Sequence, residues 1–494
     1  MIANAERVAR DLRVLIDKQR GQASRTIEQS LEPLVTFALN RLQSLAPDAA
    51  NEIVAPSGWL TLAEHLTRRL VFALGPTLRI EHIAAKAISL NSKSKSAGPG
   101  LALSEAVRAF PGLFETAAHL LGAWVDAQSE TLKRLKRDRA LLAECFGFDR
   151  RASRATKIQA GLSDPHDRGR SVTLIEFSDR ARIIYKPRSC DGEELWFAAL
   201  RWLNQNGIDA GFYIPRLLAR EKYCWMEFLQ AKACSSLNAV HSFYFRWGVQ
   251  TALATVLEAS DLHKENWIAL NSQPILVDAE ALGAASSGSH ARKKKSLDRQ
   301  SLPSLLETGL LPFTSRDRAG RYWGIAPFDA TLAEIAADSC WPRYKGESQP
   351  PWRYLSHLLR GFDAAARLFV KPSSARNFLD EIISRARIGK QRLFFRSSAD
   401  YARMLRESLE PSLMILPECR KRWLAQKCCA SAVNRASGIA EARALLRCDL
   451  PKFVIPRKTF RISRKRFSTE VARLRLSRQL LRRRVLLRTR SHYR

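Results

Sequence analysis

Apolar residues recur at every third or fourth position through the first 145 residues, which is the spacing of one face of an α-helix. The spacing is clearest in two runs, Ala5-Val8-Leu12-Leu15 and Leu113-Ala117-Leu120-Leu121-Trp124. Residues 129–142 continue as a charged helix, with Leu132, Leu135 and Leu141 predicted on its inner side. Residues 1–145 are therefore predicted to form a helical N-terminal region, interrupted by a flexible loop rich in Gly, Ser and Lys at 91–100.

The pattern changes after residue 146 from helical spacing to short β-branched runs. Residues 172–177 and 181–186 predict a β-hairpin that turns at Ser178, Asp179 and Arg180. A helix at 193–204, a strand at 223–228 and a long helix at 243–258 follow, and beyond about residue 350 the chain is again mostly helical. This order of elements predicts an α+β fold with a two-lobed, kinase-like core.

The polar segment after the long helix carries residue types that phosphotransferases use. It reads Asp261-x-His263-x-x-Asn266, and an apolar strand then ends in Asp278, twelve residues beyond Asn266. A carboxylate can accept the proton of an attacking hydroxyl, a His can stabilise charge on the transferred group, and Asn and Asp oxygens can hold Mg²⁺. Glu280 is a further candidate ligand or orienting group. The alternative interpretation is an ordinary helix C-terminus capped by His263.

Two segments upstream are weaker signals on their own. Lys186 ends the second strand of the predicted hairpin, where it can neutralise nucleotide phosphates, although most strand lysines face water. The loop at 161–170 contains Asp164 and His166 but no Gly-rich phosphate cradle, so by itself it predicts only a turn. Downstream of Asp278, a Gly-, Ser- and Lys-rich segment at 284–301 lies where a kinase carries its activation segment. It is either a solvated loop or a substrate-facing one.

Composition narrows the class of protein. The 494 residues are 46% hydrophobic, which is enough for a substantial core. The sequence contains no run of eighteen apolar residues without charge, so no transmembrane helix is predicted. The N-terminus lacks the apolar stretch of a signal peptide, and the nine cysteines show neither a disulfide framework nor a zinc motif. A cytoplasmic protein without a zinc site is therefore expected.

The net charge of +33 raises the question of an anionic partner. Residues 452–494 hold 16 Lys and Arg against the single acid Glu470, and their net +15 leaves +18 on the rest of the chain. A solvated basic surface and a true partner patch are both compatible with this distribution. An acidic peptide or a phosphate-bearing substrate suits it, and nucleic acid is the less favoured partner.

Read together, these segments resemble the dehydratase domain of class II lanthipeptide synthetases. The resemblance covers the chain from about residue 110 onward. It is carried by Asp164-Pro165-His166-Asp167-Arg168-Gly169-Arg170-Ser171-Val172, Tyr185-Lys186-Pro187-Arg188-Ser189, Trp202-Leu203-Asn204, Glu227-Phe228, Phe243-Tyr244, Thr308-Gly309-Leu310-Leu311-Pro312 and Cys448-Asp449-Leu450-Pro451.

The resemblance implies a lipid-kinase-like core that uses ATP and Mg²⁺. Such enzymes phosphorylate Ser and Thr of a leader-bearing precursor peptide and then eliminate the phosphate to leave a dehydrated residue. By this resemblance the phosphorylation residues are Lys186, Asp261, His263, Asn266 and Asp278, with Asn266 and Asp278 as the Mg²⁺ ligands. Asp164 and His166 match elimination residues. The segment from Arg392 through Arg396 to Ser398 matches the family's Arg-x-x-x-Arg-x-Thr, with Ser in place of Thr.

Two departures from the family pattern shape the expected organisation. The chain stops at Arg494 without a set of residues resembling the family's zinc-dependent cyclase, so a separate cyclase partner is expected. An Arg-rich stretch occupies the place of the family's connecting helices. We therefore predict a helical region at 1–145, a kinase-like dehydratase core with helical additions at 146–450 and a basic tail at 451–494.

Two other functions stay open at this point. The first is a peptide kinase with weak elimination activity, which is the expected function if Ser398 supports phosphate elimination less well than the Thr of the family. A non-catalytic basic protein that binds peptide or nucleic acid would show no ATP turnover, and a nucleic-acid binder would show a steep salt dependence.

Overall fold

The structure is a computed structural model, and the residues it describes are 2–20, 24–91, 102–149, 151, 153–208, 210–282, 304–311, 326–328, 340–385, 390–393, 395–430, 432, 434–456 and 464–486. The predicted loops at 91–100 and 284–301 lie outside these ranges, apart from Asn91, which ends a helix.

Helices dominate the described residues, and short antiparallel strands accompany them. The helices are α1 Ile2–Lys18, α2 Ile27–Leu45, α3 Pro47–Glu52, α4 Pro56–Asn91, α5 Leu103–Ala109, α6 Pro111–Phe146, α7 Asp191–Gln205, α8 Leu237–Val256, α9 Leu355–Val370, α10 Pro372–Arg385, α11 Ser398–Glu407, α12 Pro411–Met414, α13 Pro417–Ala430, α14 Arg435–Leu446 and α15 Arg464–Leu486. The strands are β1 Ala155–Ala160, β2 Thr173–Phe177, β3 Arg182–Lys186, β4 Leu217–Ala219, β5 Cys224–Glu227, β6 Trp267–Leu270, β7 Gln273–Leu276, β8 Arg343–Tyr344, β9 Glu347–Ser348, β10 Lys390–Leu393 and β11 Phe453–Pro456. This mixed, helix-dominant architecture agrees with the predicted α+β class.

The chain divides into two compact units, each assembled from three separate segments. The first unit comprises Met1–Arg188, Lys222–Glu227 and Phe394–Lys452, and the second comprises Ser189–Glu221, Phe228–Leu393 and Phe453–Arg494. The boundaries predicted at 145/146 and 450/451 stay predictions.

An antiparallel sheet in the first unit contains the predicted hairpin. Strand β2 pairs with β1 on one side and with β3 on the other, and β3 continues onto β5. The register places Ile175 opposite Ile183, and Arg180 takes a left-handed φ of 66° in the turn. Both strands and the turn at 178–180 are confirmed. The hairpin forms here because two β-branched runs flank a short polar segment.

A buried carboxylate joins helix α6 to this sheet. Asp138 accepts hydrogen bonds from Tyr223 Oη at 2.7 Å and from Trp225 Nε1 at 2.9 Å. Leu132 and Leu135 are buried as predicted, but Leu141 is 42% exposed and the prediction for it was wrong. With 3.6 residues per turn, the buried face that contains Leu135 returns at Leu142 rather than at Leu141.

The second unit is built on two helices that pack with almost no side-chain space between their backbones. A Cβ atom on Gly248 of α8 would lie 1.9 Å from the carbonyl oxygen of Leu358, and one on Gly361 of α9 would lie 1.8 Å from that of Phe245. Trp247, beside this crossing, is fully buried. The helix predicted at 243–258 is thus confirmed as α8, which presents its C-terminal end to the polar segment that follows.

The predicted basic tail contains helix α15. Helix α15 packs against α9 and α8, and its inner side is formed by residues that recur every three to four positions, namely Phe467, Glu470, Leu474, Ser477, Leu481 and Val485. Its arginines lie mostly on the other faces. No helix within the described ranges is both long and apolar enough to cross a bilayer.

Alanine at either helix-crossing glycine is expected to destabilise the second unit. The added methyl group would collide with backbone atoms, so we expect Gly248→Ala and Gly361→Ala each to lower the free energy of unfolding by about 1–3 kcal/mol or more. Urea unfolding followed by Trp fluorescence measures the effect. The matched control is Gly122→Ala in α6, where no neighbouring atom lies within 4 Å of the new Cβ; there alanine should stabilise by up to ~1 kcal/mol. Equal unfolding midpoints for all three variants would contradict the close crossing.

Candidate functional site

A short hairpin explains the twelve-residue spacing between Asn266 and Asp278. Strands β6 and β7 pair with Trp267 opposite Leu276, and the two-residue connection contains Asn271 with a left-handed φ of 53°. The pairing extends one residue further, because the backbone N–H of Val277 donates to the carbonyl of Asn266 at 2.8 Å. Asp278 therefore follows immediately after the residue that faces Asn266.

The segment that carries Asp261 leaves helix α8 through strained backbone. Glu258 and Asp261 both take left-handed φ values, 47° and 63°. Backbone bonds compensate for this strain on both sides: Ser260 N–H donates to Ala281 O at 2.9 Å, and Leu262 N–H donates to Thr308 O at 2.8 Å. A non-glycine residue at positive φ is uncommon and is often found at functional sites.

The Asn266 amide is oriented by two acceptors. Its Nδ2 donates to the Asp261 carbonyl at 2.7 Å and lies 3.3 Å from His263 Nε2. A carbonyl can only accept, so Nδ2 must face it and Oδ1 must face the other way. These contacts between neighbouring residues fix the orientation of the Asn266 amide. Its Oδ1 therefore faces away from the Asp261 carbonyl and is the type of oxygen ligand that hard cations prefer.

Several charged groups surround Asp261 within the second unit. Burial raises the pKa of Asp261 to about 6; Asp278 and Glu280 add to the increase, whereas His263 and Arg392 oppose it. The Nε2 atom of His263 lies 3.8 Å from Asp261 Oδ1. Asp261 is consequently a far better proton acceptor near neutral pH than an ordinary aspartate, which is the property required of a general base.

Arg392 is the cation of this carboxylate cluster. It lies on β10, which pairs with β11 so that Arg392 faces Val454, and its Nη1 donates to Glu280 Oε1. Burial tends to lower its pKa, but Glu280 and then Asp261 and Asp278 hold the pKa above the usual value for arginine. The structure therefore brings Arg392, assigned by resemblance to elimination, into the group that contains Asp261 and Asp278.

In the first unit, the loop of Asp164 and His166 is held by the segment 448–450. The Nδ1 atom of His166 lies 2.7 Å from Leu450 O, and Leu450 N–H donates to Pro165 O at 2.8 Å. Since the carbonyl needs a donor, Nδ1 carries the hydrogen, and Nε2 is the basic atom of a neutral His166. Asp164 is exposed beside it.

Asp449 holds the other half of the same loop. Its carboxylate accepts hydrogen bonds from the N–H groups of Arg168 at 2.7 Å and Gly169 at 2.8 Å, which lie in left-handed backbone. Asp449 is fully buried, and Arg69 Nη2 lies 3.8 Å from its Oδ1. Burial nevertheless raises the pKa of Asp449, against the effect of Arg69 and the two N–H bonds. Sequence reasoning noticed Asp449 only as part of a motif and missed this positioning role.

Arg396 and Ser398 are placed at the start of helix α11. The Nε atom of Arg396 donates to both oxygens of the buried Glu441, at 3.2 and 3.1 Å, and Nη2 donates to Cys428 O at 2.8 Å. Ser397 caps the helix by accepting from Asp400 N–H at 3.1 Å. Ser398 is the first helical residue and is exposed.

Lys186 ends strand β3 opposite Cys224 of β5 and is only 4% exposed. A buried ammonium group is rare without an anionic partner, which distinguishes Lys186 from an ordinary strand lysine. The prediction that it projects from a sheet is confirmed.

The oxygen donors of Asn266 and Asp278 suit Mg²⁺, which binds proteins through one or two carboxylates and otherwise keeps its waters. Among the residues that the structure describes, no group of three or more His, Cys, Asp and Glu side chains is arranged to hold a metal ion. A magnesium held jointly with nucleotide phosphates requires no such cluster.

Comparison with known proteins places the chain in a family. Residues 110–329 and 326–455 match the family described as Domain of unknown function (DUF4135). The chain belongs to this family. It is also similar to the Lacticin 481/lactococcin biosynthesis protein LcnDR2 of Lactococcus lactis subsp. lactis, with 22% identity over 416 residues, which cover 76% of this chain and 43% of that protein. The chain thus spans less than half of that relative's length.

The DUF4135 match includes every candidate site residue described above. Its first range contains Asp164, Lys186 and Asp278, and its second contains Arg392 and Ser398. Helices α1 to α5 and α15 lie outside the matched ranges.

The raised pKa of Asp261 should make stability depend on pH. An unfolded Asp titrates near pH ~3.9, so the folded chain, with a pKa of about 6 at Asp261, binds this proton more tightly. The resulting stabilisation is complete at low pH and is lost as the pH rises through 6. Asp261→Asn should therefore equal the natural chain near pH ~3, below the unfolded pKa, and exceed it near pH ~8 by about 1 kcal/mol, a value reduced because the side chain is 35% exposed. Urea unfolding of both chains at the two pH values measures this, and a difference independent of pH would refute it.

Proposed function

We propose that this chain dehydrates Ser and Thr residues of a ribosomally made precursor peptide in lanthipeptide-type biosynthesis. It would use ATP to phosphorylate the hydroxyl and would then eliminate the phosphate. The observation that carries the proposal is the cluster in the second unit, where burial raises the pKa of Asp261 to about 6 in a group with Asn266, Asp278 and Arg392. The similarity to a lacticin 481/lactococcin biosynthesis protein supports the peptide-modifying role.

The proposed core is a lipid-kinase-like fold. A hairpin that carries a buried lysine precedes, along the chain, a helix, a polar segment and a second hairpin that carries an acid. This is the order in which kinase-like enzymes present their phosphate-binding lysine, their base and their metal ligands.

In the first step, the Asp261 carboxylate accepts the proton of the peptide hydroxyl. The oxygen of that hydroxyl forms a bond to the γ-phosphorus of ATP, and the bond between the γ-phosphorus and the oxygen of the departing ADP breaks. His263 stabilises the negative charge that develops on the transferred group, and Lys186 neutralises the remaining phosphates. Asn266 Oδ1 and Asp278 are the residues that would hold Mg²⁺, which supplies further charge neutralisation on the nucleotide phosphates.

In the second step, a proton leaves the Cα atom of the phosphorylated residue, the Cβ–O bond breaks, and the electron pair of the C–H bond becomes the new C=C bond. The products are the dehydrated residue and inorganic phosphate. The basic Nε2 of His166 suits the proton transfer, with Asp164 beside it, and Arg392 suits the leaving phosphate by charge-assisted bonds.

The contacts of Arg396 favour a positioning role over direct phosphate binding. Glu441 and the carbonyl of Cys428 already take up Nε and Nη2. We therefore assign Arg396 to orienting the first turn of α11, where the hydroxyl of Ser398 replaces the Thr of the resemblance.

The proposal is tested by incubating the chain with its cognate precursor peptide, ATP and Mg²⁺ and measuring product masses. The natural chain should remove one water per modified residue. Asp278→Ala should abolish phosphorylation, whereas His166→Ala should accumulate phosphopeptide, because only its second step is impaired. The matched control His82→Ala, in helix α4, should leave the product unchanged. Phosphopeptide as the sole product of the natural chain would establish a kinase instead, and an unmodified peptide would overturn the proposal.

The positioning role of Asp449 predicts a more selective effect. Asp449→Asn keeps the size of the side chain but leaves one of the two N–H donors without an oxygen acceptor, which costs about 1–3 kcal/mol at a buried site. We expect elimination to slow at least ~10-fold, since 1.4 kcal/mol corresponds to a factor of ten in rate. Phosphorylation should change less than ~2-fold, because the two N–H groups that Asp449 holds belong to the loop of His166 and not to the segment of Asp261.

Single-turnover assays of the two steps measure this split, with the exposed Asp17→Asn as control. A parallel loss of both steps would indicate that Asp449 acts only through overall stability.

A further inference from the structure

A groove in the second unit has apolar walls and a cationic rim. It has a volume of about 930 Å³ and is lined by residues of α9, α10 and α15. Helix α9 packs against both α10 and α15 and forms the floor between them. The apolar lining includes Phe362, Phe369, Leu379, Phe467 and Leu474, and Val370 lies at its edge with 59% of its surface exposed.

Three aromatic rings pack against one another at the floor of the groove. The rings of Phe369 and Phe467 meet edge to face with centroids 6.1 Å apart, and Phe378 packs behind both of them, at 5.0 and 5.9 Å. Because helices of the same fold hold all three rings, the groove is preformed and does not require a partner to open it. Preformed apolar grooves bind side chains with a small ordering cost.

The rim carries more positive charge than the groove itself neutralises. Arg367, Arg376 and Arg475 are exposed and line the groove, and within the described ranges no carboxylate forms an ion pair with any of them. Arg478 differs, because its Nε pairs with Asp363 at 2.6 Å. Three uncompensated guanidinium groups around an apolar floor favour an occupant with both apolar and acidic side chains.

The positive surface continues beyond one end of the groove. Asp363 and Arg367 also line a neighbouring cavity of about 540 Å³, between α8 and α9. Arg246 and Arg360 contribute to that cavity, together with the stacked imidazoles of His241 and His357, whose centroids are 4.1 Å apart. The groove alone is at the upper end of the size of small-molecule pockets, which is about 300–1,000 Å³. Groove and cavity together suit a peptide segment better than a compact ligand.

We propose that this groove docks an acidic, amphipathic helical segment of the precursor peptide, away from the residues that are modified. Apolar side chains spaced i, i+3, i+4 and i+7 would enter the groove between α10 and α15, while Glu and Asp on the flanks of the helix pair with the rim arginines. The inference rests on the proposed function for the identity of the peptide, but the groove and its charge do not depend on catalysis. The apolar floor argues against nucleic acid, which is bound mainly through its phosphates.

The direct test is a binding titration without nucleotide. The probe is a fluorescein-labelled sixteen-residue peptide with Leu at the four helical positions and Glu elsewhere on its polar face; a scrambled peptide of equal composition is its control. We expect Arg376→Glu combined with Arg475→Glu to weaken binding of the probe by at least ~10-fold, as expected for two reversed charge pairs. Arg482→Glu combined with Arg483→Glu is the matched control, because both residues are exposed on α15 outside the groove.

The apolar contribution is tested separately with Val370→Glu. This residue is already exposed, so the fold should be retained, while the new charge repels the acidic probe from the groove. Val14→Glu, at a valine that is 53% exposed in the first unit, is the control. Weaker binding by Val370→Glu and by the double variant Arg376→Glu with Arg475→Glu, the rim double variant, supports the proposal if both controls bind as the natural chain does. Equal binding by all variants, or equal affinity for the scrambled peptide, overturns it.

Two further readouts separate this inference from the proposed function. With the cognate peptide, the rim double variant should raise KM and leave kcat within ~2-fold, because docking contributes equally to ground and transition states. If the chain dehydrates its peptide but the groove variants change neither KM nor probe binding, only the docking proposal fails. If the variants weaken probe binding but no peptide is ever phosphorylated, only the proposed function fails. The last check is sedimentation with anionic phosphatidylglycerol vesicles. If the rim double variant no longer binds the vesicles but still binds the probe, the groove is a membrane site and the proposal of a peptide occupant is overturned.

Discussion

The charges of three acids act on one largely buried arginine in the second unit, and the chemistry proposed for this chain depends on that excess of negative charge. Asp261, Asp278 and Glu280 all act on the same region, and Arg392 is the cation among them. Glu280 pairs with Arg392 directly, and burial raises the pKa of Asp261 to about 6, an increase that His263 and Arg392 oppose only in part. A fully neutralised site would hold Asp261 ionised at low pH and make it a poor base. A site without Arg392 would leave several carboxylates repelling one another in a partly dry environment.

Local elements were predictable from the sequence because their signals are local. Two β-branched runs predict the hairpin of β2 and β3, and the long helix predicted at 243–258 corresponds to α8. The failure at Leu141 has the same origin: a spacing of three and then six residues approximates the helical repeat but drifts off the buried face by the second turn. Such errors are small because the following residue, Leu142, is also a leucine.

The site was less accessible to sequence reasoning, since its decisive contacts join distant residues. Arg392 follows Glu280 by 112 positions and Asp449 follows Arg168 by 281 positions, so no periodicity connects them. Resemblance to a family supplied Arg392 as a candidate but could not indicate that Glu280 is its partner. Asp449 had no signal beyond its place in a short motif, because a buried acid that binds backbone N–H groups looks like any other acid in the sequence. The proposed Mg²⁺ ligands were easier to recognise from the sequence, because a hairpin with a two-residue connection brings Asn266 and Asp278 close together.

The discontinuous construction of the two units has a consequence for how the chain folds during synthesis. The first unit needs residues 394–452 to cover α6 and to hold the loop of His166, and the second needs 453–494 to supply β11 and α15. Neither unit can complete its contacts while the ribosome is still translating the middle of the chain. Long-range pairing of this kind slows folding and leaves apolar faces exposed for longer. The last sixth of the chain consequently completes both the His166 loop and the Arg392 strand, and a nascent chain interrupted before it would carry every proposed phosphorylation residue without the strand pairing that holds Arg392.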